Sequence, residues 1–157
     1  MAASCRFAFA IHVLAVLAYR QAQGSACSDL LAGSVNTNPV VIRRLLSQLR
    51  KAGLVTTRKG THGGAALGLA PEAITLDAVY RAVEPQAFCG PDRPQPNLRC
   101  PVGAGIARVL DEVFASAQAA LESALERRTL RDVLNAMREE TAPPTQPRAR
   151  GTADRAA

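Results

Sequence analysis

The feature that most constrains this chain is an acid-free window, residues 30–71. The window contains no Asp or Glu but six basic residues: Arg43, Arg44, Arg50, Lys51, Arg58 and Lys59. The whole chain has 19 Lys and Arg against 13 Asp and Glu, so its formal charge of +6 equals the charge of this window. Because a patch of one sign concentrates ions of the opposite sign, the window favours a polyanionic partner.

A helix is predicted over roughly residues 39–52. Asn38 can cap free backbone N–H groups and Pro39 suits the first helical position, so together they mark the start. Gly53 follows the last turn, as Gly commonly does at a helix end. Four apolar residues between these signals recur at i, i+3, i+4 and i+7, which predicts one buried face: Ile42, Leu45, Leu46 and Leu49.

The segments around this helix complete a recognisable order of elements. Upstream, we predict a helix over residues 4–20, a short second helix capped by Ser25 or Ser28 and ending near Ala32, and a tight turn over 33–37. Downstream, we predict strands over 54–57 and 65–69, joined by a Gly-rich tip. Two short helices and a basic hairpin form a winged helix-turn-helix. The predicted fold class is therefore mainly α with a small β-hairpin wing and a long C-terminal helix.

This arrangement predicts binding to double-stranded DNA. An α-helix fits the major groove, and residues near its N terminus can touch base edges. The same helix end also favours phosphate, through its partial positive charge and free N–H groups. The glycines of the hairpin tip allow close approach to the DNA backbone. The alternative is a solvated basic helix face beside an ordinary hairpin.

Several motifs resemble those of the Rrf-two (Rrf2) family of bacterial regulators, which includes the IscR, NsrR and CymR types. The resemblance covers roughly residues 2–138 and is most specific from Asn36 to Val55. It implies a homodimeric winged-helix transcription factor, usually a repressor, that binds a palindromic operator. The segments that carry it are 6–8, 36–44, 51–55, 63–64, 74–76, 79–83 and 100–103.

The resemblance also implies which residues meet DNA. The groove-facing candidates are Asn38, Pro39, Val40, Arg43, Arg44 and Ser47, and the wing candidates are Arg58, Lys59, Gly60 and His62. The sequence does not say which of them read bases and which hold phosphate. Contact with phosphate is the default expectation for each, because most protein–DNA hydrogen bonds go to the backbone.

The C-terminal half is predicted to form a dimer. Thr75 can cap a helix to about Glu84, and Pro101 opens a long helix to about Arg127. That helix carries a longer apolar stripe than a small domain can cover, so a second copy of the chain is the expected partner. Packing back onto the same chain is the alternative. The predicted interface residues are Ile106, Val109, Leu110, Val113, Phe114, Ala117 and Leu121, continuing to Ala124 and Leu125.

These elements predict four regions. Residues 1–84 form the DNA-binding domain, 85–100 a connecting and sensor loop, 101–140 the dimerisation helices, and 141–157 a disordered tail. Within the third region, Thr129-x-x-Asp132 resembles a capping box for a last helix that ends near Arg138.

The loop cysteines leave three readings open. Cluster-binding members of the resembled family hold iron–sulfur with three Cys in this loop, whereas this chain has only Cys89 and Cys100. We therefore expect no cofactor, although Asp92, His12 or a partner residue could complete a cluster site. A thiol switch is the second reading, because a helix N terminus and Arg99 both favour a reactive Cys100 thiolate, with Cys89 as its resolving partner. The third is that both are packed as small hydrophobes.

Other classes of function are poorly supported. No segment has the roughly 20 apolar residues needed to span a bilayer, so no membrane partner is predicted. The apolar run after Arg6 resembles a secretory signal, but His12 and its helical spacing favour a core helix. With only four Cys, we expect a reducing, cytoplasmic setting.

The chain also lacks the motifs of an enzyme. We find no zinc-ligand spacing, no phosphate-binding loop and no nucleophile–base pair, so we predict neither catalysis nor a metal site. The alternative from another class is an adaptor that binds a protein partner through the long helix.

Overall fold

The computed structural model describes residues 5–58, 60, 63–84 and 96–141. The fold is mainly helical with a two-stranded antiparallel hairpin, which confirms the predicted class. The helices are α1 (Cys5–Tyr19), α2 (Ser28–Val35), α3 (Pro39–Lys51), α4 (Leu76–Val83), α5 (Pro101–Glu126) and α6 (Leu130–Thr141). The strands are β1 (Val55–Arg58) and β2 (Gly64–Leu67), and single 3-10 turns lie at Gln21–Gln23 and Pro71–Ala73.

The hydrophobic core lies between α1, α2, α3 and α4. Helix α1 buries Val13 and Leu14 completely, which confirms the prediction of a core helix at the start of the chain. Within the described ranges, every fully enclosed side chain of this core is apolar. The largest of them are Leu14, Leu31, Ile42, Leu49, Ile74 and Leu130.

Helix α2 differs from its prediction at both ends. Cys27 occupies the N-cap position without a side-chain hydrogen bond, so the predicted Ser caps are wrong. The helix continues through Gly33 and Ser34 to Val35, so the predicted turn is wrong over its first three residues. Burial of the preceding turn against α1 and α3 outweighs the weak helix propensity of these residues. The chain reverses at Asn36, whose φ of 57° is in the left-handed region that Asn tolerates.

The hairpin is attached to the helical body by a third extended segment. In the hairpin, Val55 pairs with Leu67 and Arg58 with Gly64. On its other edge, Ala26 N–H donates to the Ala65 carbonyl at 2.9 Å, and Ala65 N–H donates to the Ala26 carbonyl at 2.8 Å. This pairing fixes the wing relative to α2, and no local sequence signal indicates it.

Two predicted helix caps are confirmed. The Thr75 hydroxyl accepts a hydrogen bond from Ala78 N–H at 3.1 Å at the start of α4. At the start of α6, the Asp132 carboxylate accepts from Thr129 N–H at 2.8 Å, and Asp132 N–H donates to the Thr129 hydroxyl at 3.3 Å. This reciprocal pair is a capping box.

Helix α6 packs against the N-terminal unit. Leu76 N–H donates to the Arg128 carbonyl at 2.8 Å, and Leu130 N–H donates to the Ile74 carbonyl, also at 2.8 Å. Leu130 is fully buried in the same core as α1 and α3. The last helix is therefore tied to the N-terminal unit of its own chain, and the division of the chain into four regions stays a prediction.

Helix α5 contacts α4 and leaves much of its apolar stripe uncovered. Arg81 of α4 donates to Glu122 of α5 at 2.8 Å and pairs with Asp77 at 2.8 Å. Among the predicted interface residues, Leu110, Phe114 and Leu121 are half-buried and Ala117 is exposed. Three others are exposed as well: Ile106 is 37% exposed, Val109 52% and Val113 54%.

Candidate nucleic-acid interface

Helix α3 presents a basic face because its apolar stripe points into the core. Asn38 caps the helix as predicted, with its Oδ1 accepting from Val40 N–H at 2.8 Å. Opposite the stripe the helix is exposed, and Val40 is 47% accessible. The buried residues are the four predicted: Ile42, Leu45, Leu46 and Leu49.

The groove-facing candidates lie together on this helix. Arg43, Arg44 and Ser47 are exposed, whereas Pro39 is partly covered. The Arg43 Nε donates to the Pro39 carbonyl at 3.3 Å, which draws the Arg43 side chain toward the N-terminal turn. The first turn of α3 contains no acidic residue, so no carboxylate there repels a phosphate.

Two grooves flank α3. The larger, about 610 Å³, lies between α1 and α3 and is lined by Arg6, Phe9, Val41, Arg44, Leu45, Ser47 and Gln48. The smaller, about 210 Å³, lies between α3 and the wing and is lined by Arg43, Leu46, Ser47, Arg50 and Thr57. Four polar residues of these linings are not among the DNA-contact candidates from the sequence: Arg6, Gln48, Arg50 and Thr57. The acid-free window already contained three of them, but only packing brings Arg6 of α1 beside α3.

Two of the wing candidates are described. Arg58 ends β1 and is exposed. Gly60 has a φ of 110°, a conformation that residues with a side chain rarely adopt, and its carbonyl accepts from Gly63 N–H at 2.8 Å. Lys59 and His62 lie outside the described residues.

Cys100 is an exposed residue at the N-cap of α5. Hydrogen bonds from the backbone N–H groups of Gly103 and then Val102 lower the pKa of the Cys100 thiol. This direction agrees with the prediction from the helix N terminus, although the responsible groups are backbone amides rather than Arg99. Cys89 and the rest of the loop over 85–95 lie outside the described residues, as does the predicted tail over 142–157.

Neither a metal cluster nor a membrane span is found in the described part of the chain. In residues 5–58, 60, 63–84 and 96–141, no three His, Cys, Asp or Glu side chains come together as metal ligands. Over the same ranges, no helix is both long enough and apolar enough to cross a bilayer. Cys89, the other cysteine of the predicted sensor loop, lies outside these ranges.

Comparison with known proteins decides the family. A family model described as "Rrf2: Iron-dependent Transcriptional regulator" matches residues 3–136. The chain belongs to the Rrf2 family of winged-helix transcriptional regulators. The match spans the helix-turn-helix, the wing, α5 and most of α6, so the predicted resemblance is confirmed.

Individual relatives agree with this assignment. The Rrf2 protein is 44% identical to YwnA of Bacillus subtilis strain 168, named as an HTH-type transcriptional regulator, over 83% of this chain and 95% of YwnA. It is 42% identical to a protein of known crystal structure described as DNA-binding, with a TM-score of 0.68 and coverage of 83% and 99%. The structure of CymR, the global cysteine regulator of Bacillus subtilis, superimposes on this chain with a TM-score of 0.64, over 87% of this chain and 98% of CymR. The two sequences are 23% identical in this match, which shows the shared fold.

Proposed function

We propose that this Rrf2 protein is a cytoplasmic repressor that binds palindromic operator DNA as a homodimer. The observation that carries the proposal is the exposed basic face of α3, which lies in a window with six basic and no acidic residues. The N terminus of α3 adds the partial positive charge of a helix end, which favours phosphate. Repression and a palindromic operator are what the family resemblance implies.

The uncovered stripe of α5 supports the homodimer. A 26-residue helix is about 39 Å long, yet its only buried residue is Gly103. Val102, Val109 and Val113 are 69%, 52% and 54% exposed, and apolar side chains aligned on one helix mark an interaction surface. A second α5 offers the same apolar surface, so two copies can cover each other in a coiled-coil-like seam.

Salt dependence of DNA binding tests the regulatory role. With roughly eight phosphate contacts per dimer, the logarithm of the association constant should fall against the logarithm of salt concentration with a slope near −7. The measurement is fluorescence anisotropy on duplexes recovered by selection from genomic fragments. Absence of duplex binding at low salt contradicts the proposal and favours an adaptor that uses α5 for a protein partner.

A paired substitution tests the dimer. Val113→Asp places a charge in the proposed seam, where its desolvation disfavours association, so sedimentation should show monomers. Met137→Asp is a matched control, because Met137 is 50% exposed on α6, outside the α5 stripe. A Val113→Asp protein that sediments like wild type contradicts the proposed interface.

We also propose that the Cys100 thiolate senses oxidants. The sulfur attacks one oxygen of a hydroperoxide, the O–O bond breaks, and sulfenic acid forms while the alkoxide leaves and takes a proton. A second thiol, for which Cys89 is the candidate from the sequence, then attacks the sulfenic sulfur and displaces water to form a disulfide. The lowered pKa of Cys100 and its exposure support this step.

The test compares operator release by peroxide in wild type and Cys100→Ser. We expect release from wild type and retention by the variant, and equal release from both contradicts the switch. The proposed absence of a resident cofactor is tested on anaerobically purified protein, where bound iron and a visible absorption band would favour the iron–sulfur alternative.

A further inference from the structure

We infer that the two grooves flanking α3 each hold the backbone phosphates of one DNA strand. In this assignment Arg6 of α1 binds backbone phosphates of one strand, and Arg50 and Thr57 bind backbone phosphates of the other strand. The inference rests on the proposed DNA-binding function and adds residues outside the motif-based set.

The groove between α1 and α3 is suited to an anion. Arg6 and Arg44 supply two exposed guanidinium groups, and Gln48 supplies an amide that can donate a hydrogen bond. No carboxylate lines this groove, so nothing there repels a phosphate. Phe9 and Val41 form an apolar wall against which the sugar of a nucleotide can pack.

The groove between α3 and the wing has the same chemistry. Arg43 and Arg50 contribute two guanidinium groups, and Thr57 of β1 adds a hydroxyl. Again the lining contains no acidic side chain. Hydroxyl and guanidinium donors are among the groups that most often contact DNA phosphates.

The positions on the helix place these grooves on opposite sides. At about 100° per residue, Val41 and Gln48 lie on one flank of α3, whereas Arg43 and Arg50 lie about 180° away. The buried stripe is centred between the two flanks on one side. Val40, Arg44 and Ser47 lie near the opposite, outward side, with Arg44 toward the Val41 flank and Ser47 toward the Arg43 flank.

The major groove has matching dimensions. It is about 12 Å wide, close to the 10–12 Å diameter of a helix with its side chains. A helix inserted with its outward side toward the base edges therefore has one sugar–phosphate strand along each flank. The two basic grooves of α3 lie where these strands pass.

This placement sorts the candidates by role. Arg44 acts with Arg6 on one strand, and Arg43 acts with Arg50 on the other. Val40 and Ser47 remain at the outward side, where a side chain can reach base edges. The arginines then set affinity and salt dependence, while sequence preference depends on the outward positions.

The experiment combines salt dependence with phosphate-ethylation interference on the duplex selected by wild type. Because each dimer carries two copies of each side chain, Arg6→Gln and Arg50→Gln should each reduce the steepness of the salt slope by about 1.8. Arg127→Gln is the matched control: its guanidinium donates to Ser123 at the end of α5, outside both grooves. Thr57→Val should weaken binding while leaving the slope unchanged.

Interference distinguishes the two strands. Ethylation of the phosphates held by Arg6 weakens wild-type binding but should no longer affect Arg6→Gln, and Arg50→Gln should lose interference on the opposite strand of the half-site. Slopes equal to that of Arg127→Gln, or loss of interference on the same strand in both variants, overturn the inference while wild-type binding stands. Absence of wild-type duplex binding overturns the proposed function as well.

Discussion

Replacing Gly64 by Ala should detach the wing from the helical body. Gly64 lies where β2 meets the third extended segment, and an added Cβ would lie 2.7 Å from the Ala26 carbonyl oxygen and 2.8 Å from its carbon. These atoms belong to the backbone, so no side-chain rotation can relieve the contact. The segment at Ala26 has to move away from β2.

The structure sets the size of the effect. Movement breaks the two hydrogen bonds between Ala26 and Ala65, at 2.9 and 2.8 Å, each worth about 1 kcal/mol net. If the segment does not move, overpacking costs about 1–3 kcal/mol instead. Either route predicts a loss of about 2 kcal/mol in the free energy of unfolding, and weaker duplex binding because the wing is no longer held beside α3.

Gly33→Ala is the matched control. Gly33 lies inside α2 and an added Cβ meets nothing within 4 Å, so this substitution should stabilise the protein by about 0.5–1 kcal/mol. Urea unfolding at one protein concentration measures both variants, since association changes apparent stability. If Gly64→Ala unfolds at the wild-type midpoint or above, the close packing of Ala26 against β2 is refuted.

Three further predictions follow. Hydrogen bonds from the Thr129 N–H and then its hydroxyl lower the pKa of Asp132. This cap therefore stabilises the fold at neutral pH, and its contribution disappears as the pH falls through the lowered pKa. The melting temperature of Asp132→Ala should be lower than that of wild type at pH 7, and the two should converge in acid. The lowered pKa of Cys100 predicts faster alkylation by iodoacetamide near neutral pH than that of an unstructured cysteine peptide; equal rates would contradict it. Leu14→Ala, at a fully buried position, should cost about 2–5 kcal/mol in urea unfolding, whereas Tyr19→Ala, at a position 84% exposed, should change stability by less than about 0.5 kcal/mol.

Elements with strong local signals could be predicted from the sequence. Helix α3 has a capping Asn, a Pro at its first position and an apolar stripe, and each of these signals depends on residues at most about four positions apart. The caps at Thr75 and Thr129 are local in the same way. Helix α2 was predicted too short because its helix signals are weak and packing decides where it ends.

In the candidate interface, too, some features follow from local sequence and others only from tertiary packing. The sequence alone determined that α3 carries a basic face opposite a buried one, because charge order and helical period are properties of neighbouring residues. Only the tertiary structure decided that Arg6 and Arg44 line one groove, that Thr57 and Arg50 line another, and that Ala26 pairs with Ala65. Arg6 and Arg44, like Ala26 and Ala65, are about 40 positions apart in the sequence, and Thr57 comes to the same groove as Arg50 only after the chain turns back at Gly53. Such contacts form because burial of the shared core offsets the entropy of closing the chain between them, and no local pattern encodes that balance.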